Sequence, residues 1–173
     1  MNFLTPFRSL LHFLSVMGDD GPVWCQIESD PAIFSQILRD LGVKGVQVVD
    51  LYALDEDMIQ SMGGDVYGLI FLFKWDRQKG NSPSHPSSHI PKDLFFARQV
   101  VHNACGTMAI LNMVMNLPQM HKSVDLGPLL SDIQSFTLDF PSEEKGMVIG
   151  QHEKLREVHD SFARPLILEM LGE

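Results

Sequence analysis

Cys105 is the residue on which chemistry most naturally turns. It stands in Gln99-Val100-Val101-His102-Asn103-Ala104-Cys105-Gly106-Thr107-Met108-Ala109-Ile110-Leu111, just ahead of a long apolar run with the composition of a buried helix. Asn103 can act as the N-cap of that helix by accepting from a backbone N–H one turn on. Cys105 then falls in the first turn, where unpaired N–H groups and the positive end of the helix dipole favour thiolate, the form that attacks carbonyls. Gln99, six residues upstream, carries an amide able to donate to a developing oxyanion. The competing reading is packing, since free cysteine is among the most buried residue types.

The other candidates are weaker. Cys25 follows Trp24 with no oxyanion donor in view and reads as a packed thiol. His102, three residues before Cys105, has nothing to fix its ring toward the thiol, and His121 and His152 fall in expected loops. His159 lies on the face of the last helix, where a packed or capping role fits. His85 and His89 invite a metal hypothesis, but no Cys or acidic cluster accompanies them. No metal or cofactor is expected.

These residues need a scaffold, and the chain can supply one. Its 173 residues suit a single domain, and 45% apolar content suffices for a core. A net charge of −9 argues against nucleic-acid binding and fits a basic protein partner better. Two cysteines without metal-type spacing or a disulfide framework suggest a reducing cytoplasmic or nuclear setting. Residues 1–22 read as an extension, a docked amphipathic helix or a flexible arm rather than a targeting signal. Their apolar part is too short to span a bilayer, so no membrane partner is expected.

Asp30-Pro31 opens a helix with a cap residue and Pro at the first helical position, and Gly42 closes it. Val46 to Tyr52 reads as a strand, and acids at Asp55, Glu56 and Asp57 start a short helix ended by Gly63-Gly64. Val66 to Trp75 is almost continuously apolar, as in a strand buried on both faces. The Ser/Pro/His-rich stretch from Asp76 to Pro91 reads as a surface loop. Pro118 stops the Cys105 helix. Further helices are expected from Asp125-Leu126-Gly127-Pro128 and over Gln151 to Ala163, with a turn or short helix at Ser142 to Gly146.

Several separated segments resemble the ubiquitin carboxyl-terminal hydrolases, cysteine deubiquitinases of papain-like fold. They are Trp24-Cys25-Gln26-Ile27-Glu28-Ser29-Asp30-Pro31, Phe95-Phe96-Ala97-Arg98-Gln99, Asn103-Ala104-Cys105-Gly106-Thr107 and His159-Asp160-Ser161-Phe162-Ala163-Arg164-Pro165. Phe71-Leu72-Phe73-Lys74-Trp75 matches the longer branch that attaches to the proteasome and to chromatin regulators. The resemblance implies Cys105 as nucleophile and Gln99 in the oxyanion hole. It places Glu28 and Asp30 at the border of a ubiquitin-binding surface, although Asp30 is also explained as a helix cap. The implied fold is α/β (α+β), with helices around a central, mostly antiparallel sheet. Residues 23–165 would form the catalytic domain and 166–173 a divergent tail.

In the family, a histidine-bearing strand and an aspartate-bearing turn follow the last helix seen here, and no segment after Pro165 corresponds to them. The sequence therefore reads as a partial domain, incomplete on its carboxyl side, with the general base and its orienting Asp absent. The branch's carboxyl-terminal extension is not found either, so recruitment to the proteasome or chromatin by that route is not expected. Two readings stay open: a thiol hydrolase acting at the carboxyl terminus of ubiquitin, and a ubiquitin-binding or scaffold fragment without turnover.

Overall fold

The computed structural model describes residues 23–72, 91 and 93–163. The expectations for the amino-terminal extension, for the loop carrying His85 and His89, for the end of the second strand and for the tail lie outside the described residues. Six α-helices are formed there: α1 (Pro31–Asp40), α2 (Glu56–Ser61), α3 (Cys105–Val114), α4 (Gly127–Phe136), α5 (Ser142–Gln151) and α6 (Glu153–Asp160). A single 3-10 turn, Leu117–Gln119, follows α3.

Helix starts follow local chemistry. Asp30 sits in extended backbone and accepts from Ala32 N at 2.7 Å and Ile33 N at 3.3 Å, with Pro31 next. Asp55 caps α2 through Met58 N at 2.7 Å. Asp125 does not cap α4 directly, but its carboxylate accepts from Gly127 N at 2.9 Å, shaping the turn that enters the helix. Beyond α1, Gly42 takes φ +91°, a conformation that glycine adopts without steric cost. The segment expected to be a turn or short helix at Ser142 to Gly146 continues as α5, and a break at His152 separates it from α6.

The core lies where α1 packs on α3 and α6 and α5 packs on α6. Trp24, Ile37, Ile110, Leu111, Ile149 and Leu155 are almost fully enclosed there. Burying each such side chain contributes about 1.5–3 kcal/mol. The apolar stripe of α4 is only partly used: Leu130 and Ile133 are buried, whereas Phe136 is exposed and meets Phe140 edge-on at 5.2 Å.

Neither expected strand forms a ladder among the described residues, where bridges occur singly, Val23 with His102 and Lys44 with Asp125. The reason is visible at Val48. Its N–H donates to Ser35 Oγ at 2.9 Å and its carbonyl accepts from the same hydroxyl at 3.1 Å, so a helix side chain takes the place of a neighbouring strand. The second segment is also not buried on both faces. Tyr67 and Ile70 pack on the core, while Leu69 is 60% and Phe71 78% exposed.

Candidate active site

Two asparagines four residues apart, Asn112 on α3 and Asn116 just past its end, build the first half of the site. Asn112 Oδ1 accepts from Ala97 N at 2.7 Å and its Nδ2 donates to Ala97 O at 3.0 Å. Asn116 does the same for Phe95, at 2.8 and 2.9 Å, and also donates to Asn112 O. The spacing puts both amides on one helix face. They pair with alternate residues of an extended chain as a strand edge would. Phe95 and Ala97 are buried in consequence, and Phe96 and Arg98 point outward.

The other side of that segment is closed by α5. Arg98 N donates to Ser142 O at 2.8 Å, and Gly146 packs so tightly on Arg98 O that a Cβ would lie far inside van der Waals contact. Gln99 therefore leaves a clamped segment. It is exposed, and its Nε2 donates to Val101 O at 2.9 Å, which leaves the second amide hydrogen for another acceptor.

Cys105 is the first residue of α3 and is exposed, while Ala104, Gly106 and Thr107 on either side of it are buried. The first intrahelical bond runs from Met108 N to Ala104 O at 2.8 Å. The N–H groups of Cys105, Gly106 and Thr107 consequently have no partner inside the helix. Gly106 lies under the Phe34 ring, 2.7 Å from where a Cβ would sit, so α1 closes directly on the residue after the thiol.

Asn103 is not the N-cap expected from the sequence. It adopts φ +63°, and its Nδ2 donates to Trp24 O at 3.1 Å, while Ala104 holds the cap position without a side-chain bond. A capping side chain requires extended backbone, and the left-handed turn at Asn103 directs its amide to the amino-terminal segment instead.

That segment is held along its length. Trp24 N donates to His102 O at 3.3 Å, and Trp24 Nε1 donates to Gly150 O at 3.3 Å. Cys25 is exposed, contrary to the packed thiol read from the sequence, because it is the Trp24 ring that enters the core. Desolvation, together with the Asp160 carboxylate beside it, holds the Cys25 thiol above its ordinary pKa, and Arg156 opposes this in part. His159 is fully buried, as its packed reading required, and bonds Thr107 and the Cys25 carbonyl.

Of the remaining candidates, Glu28 is exposed and Asp30 serves as the cap of α1. The His121 ring packs against Tyr67 at 4.3 Å, His102 is exposed, and no imidazole among the described residues is hydrogen-bonded to Cys105. No group of three metal-ligating side chains occurs among the described residues, and no helix there is long and apolar enough to cross a membrane. Sequence reasoning missed Asn112, Asn116 and Thr107. The two amides set one turn apart in an apolar helix were the available signal, since buried polar groups require partners.

An exposed thiol at a helix start, with a glutamine presented from a clamped segment, can support nucleophilic acyl transfer. Comparison with known proteins gives the family. The chain is 41% identical over 151 residues to ubiquitin carboxyl-terminal hydrolase ubh-4 of Caenorhabditis elegans, covering 87% of this chain and 45% of that protein. Over 151 residues it is 38% identical to ubiquitin carboxyl-terminal hydrolase BAP1 of Xenopus tropicalis, covering 82% and 21%. The catalytic domain of Trichinella spiralis UCH37, solved bound to ubiquitin vinyl methyl ester, superposes with a TM-score of 0.74 at 36% identity, over 88% of this chain and 66% of that one. The chain thus spans less than half the length of these curated relatives. It has the α/β papain-like fold of that catalytic domain. Residues 24–169 match the family described as ubiquitin carboxyl-terminal hydrolase, family 1, and the chain belongs to that family.

Proposed function

We propose that the chain is a cysteine-type deubiquitinase module acting at the carboxyl-terminal glycine of ubiquitin. The observation that carries this reading is the exposed Cys105 at the first position of α3, beside a segment that α3 itself clamps and that presents Gln99. Cys105 Sγ attacks the glycine carbonyl carbon, and the electron pair moves to the oxygen, which Gln99 Nε2 and the open N–H groups of the helix start are suited to receive. Collapse breaks the C–N bond, and the leaving amine takes up a proton. Water then cleaves the thioester, releasing the carboxylate and restoring the thiol. The UCH37 structures with ubiquitin vinyl methyl ester support ubiquitin as the substrate class. Free thiols at both cysteines fit a reducing cytoplasmic or nuclear setting.

A second reading, ubiquitin binding without turnover, is favoured by one observation: no described imidazole bonds Cys105. Proton delivery to the leaving group is worth roughly 10²- to 10⁴-fold. Release of a fluorescent amine from the carboxyl terminus of ubiquitin, measured for the chain and for Cys105→Ala, separates the two. Turnover lost in the variant supports the hydrolase. No turnover in either, with ubiquitin retained in a titration, supports binding alone, and loss of both refutes the function.

A further inference from the structure

Cys105 is bracketed. Two residues before it, Asn103 Nδ2 donates to Trp24 O at 3.1 Å, and two residues after it, Thr107 Oγ1 lies 2.8 Å from His159 Nδ1. Both ties lead to the same short segment. His159 Nε2 is 2.8 Å from Cys25 O, and because a carbonyl only accepts, Nε2 carries the hydrogen. In that tautomer the Nδ1 lone pair accepts from the Thr107 hydroxyl. The next residue, Asp160, accepts from Cys25 N at 2.9 Å, so consecutive residues of α6 hold both peptide groups of Cys25. The His159 ring is fully buried and lies 4.8 Å from the Trp24 ring.

A histidine that only packed could satisfy its nitrogens anywhere. Here both go to the two strands of chain that flank the thiol, across 134 and 52 residues of sequence. We propose that His159 is a positioning residue for Cys105, locking the nucleophile's turn by bonding Thr107 on one side and the Trp24-Cys25 segment on the other. The lock deepens the thiol-hydrolase reading, and its kinetic consequence rests on that reading.

Thr107→Val removes the hydroxyl at nearly constant shape, and Thr107→Ser keeps it. Amide hydrogen exchange should rise about tenfold over residues 102–107 in the Val variant, while amides of α1 and α4 stay within about twofold and the Ser variant is protected like the parent. In reaction with ubiquitin vinyl methyl ester, the maximal inactivation rate of the Val variant should fall about tenfold with half-saturation changed less than about twofold, and Ser should restore it. His159→Phe, which keeps a ring in the buried site but has neither a donor for Cys25 O nor an acceptor for Thr107, should loosen residues 102–107 at least as much as the Val variant. A parallel rise in exchange across all helices would overturn the proposal, as would a loosened 102–107 turn captured at the parental rate. A parent chain that is not captured at all would refute the proposed function, and the exchange measurement would still decide the lock.

Discussion

Asn112→Leu isolates the contribution of the amide clamp. The change fills similar space at a half-buried position but strips the Ala97 N–H and C=O of their partners, and Ala97 is only 1% exposed. Each backbone group left unpaired in such a place costs about 1–3 kcal/mol. The added apolar contact of Leu returns about 1 kcal/mol. The net loss is then about 1–5 kcal/mol, a large share of the roughly 5–15 kcal/mol that holds a domain together. At about 2–4 °C per kcal/mol for a chain of this size, a thermal melt followed by circular dichroism should shift down by roughly 2–20 °C. Asn112→Asp keeps the acceptor for Ala97 N but sets an oxygen against Ala97 O, so it should be comparably damaging at neutral pH. A loss below about 0.5 kcal/mol in Asn112→Leu would mean that water or a neighbouring chain serves Ala97 equally well, and the clamp would then not explain how Gln99 is presented.

Other substitutions probe the same scaffold. Gly146→Ala must drive α5 off Arg98 O and should cost about 1–3 kcal/mol in urea unfolding, with the Arg98-Ser142 backbone bond lost; a neutral result would contradict the close approach. Glu143→Gln breaks only the exposed 3.3 Å pair with Arg98 and should leave stability within about 0.5 kcal/mol by the same assay. Cys25 should alkylate more slowly than a free thiol peptide near pH 8.5, and Asp160→Asn, which keeps the bond to Cys25 N but removes the charge, should shorten the lag without erasing it, because desolvation remains. The sign follows from a thiol raised in the folded state: its contribution to stability is complete below the unfolded value and is lost as pH rises through the folded one, so it matters only on the alkaline side.

What could be read from the sequence is divided by distance along the chain. Asp30 was legible as a helix cap because a cap bonds within three residues of itself, whereas Asp55, read as a first-turn acid, is itself the cap of α2. Cys105 and Gln99 could be singled out as candidates for the same reason, since one short segment carries both. The strand at Val46 to Tyr52 was misread because extended chain needs a partner from elsewhere, and Val48 finds its partner in the Ser35 side chain of α1 rather than in a ladder. Asn103 shows the limit most sharply. Its type fits both a cap and a left-handed turn, and the choice is made by Trp24, 79 residues away.

The exposure of Cys105 follows from the same division. An apolar run such as the one after Cys105 ordinarily buries its cysteine, and α3 does bury Met108, Ile110, Leu111 and Val114. The thiol escapes because it occupies the first helical position, where the chain is still leaving the left-handed turn at Asn103 and the buried face begins one residue later, with Gly106 under Phe34. A bulkier residue at 106 would displace that ring. Exposure of this thiol is therefore tied to where the helix begins, and the contacts around that start come from Trp24, Phe34 and His159, none of which stands within 50 residues of the thiol.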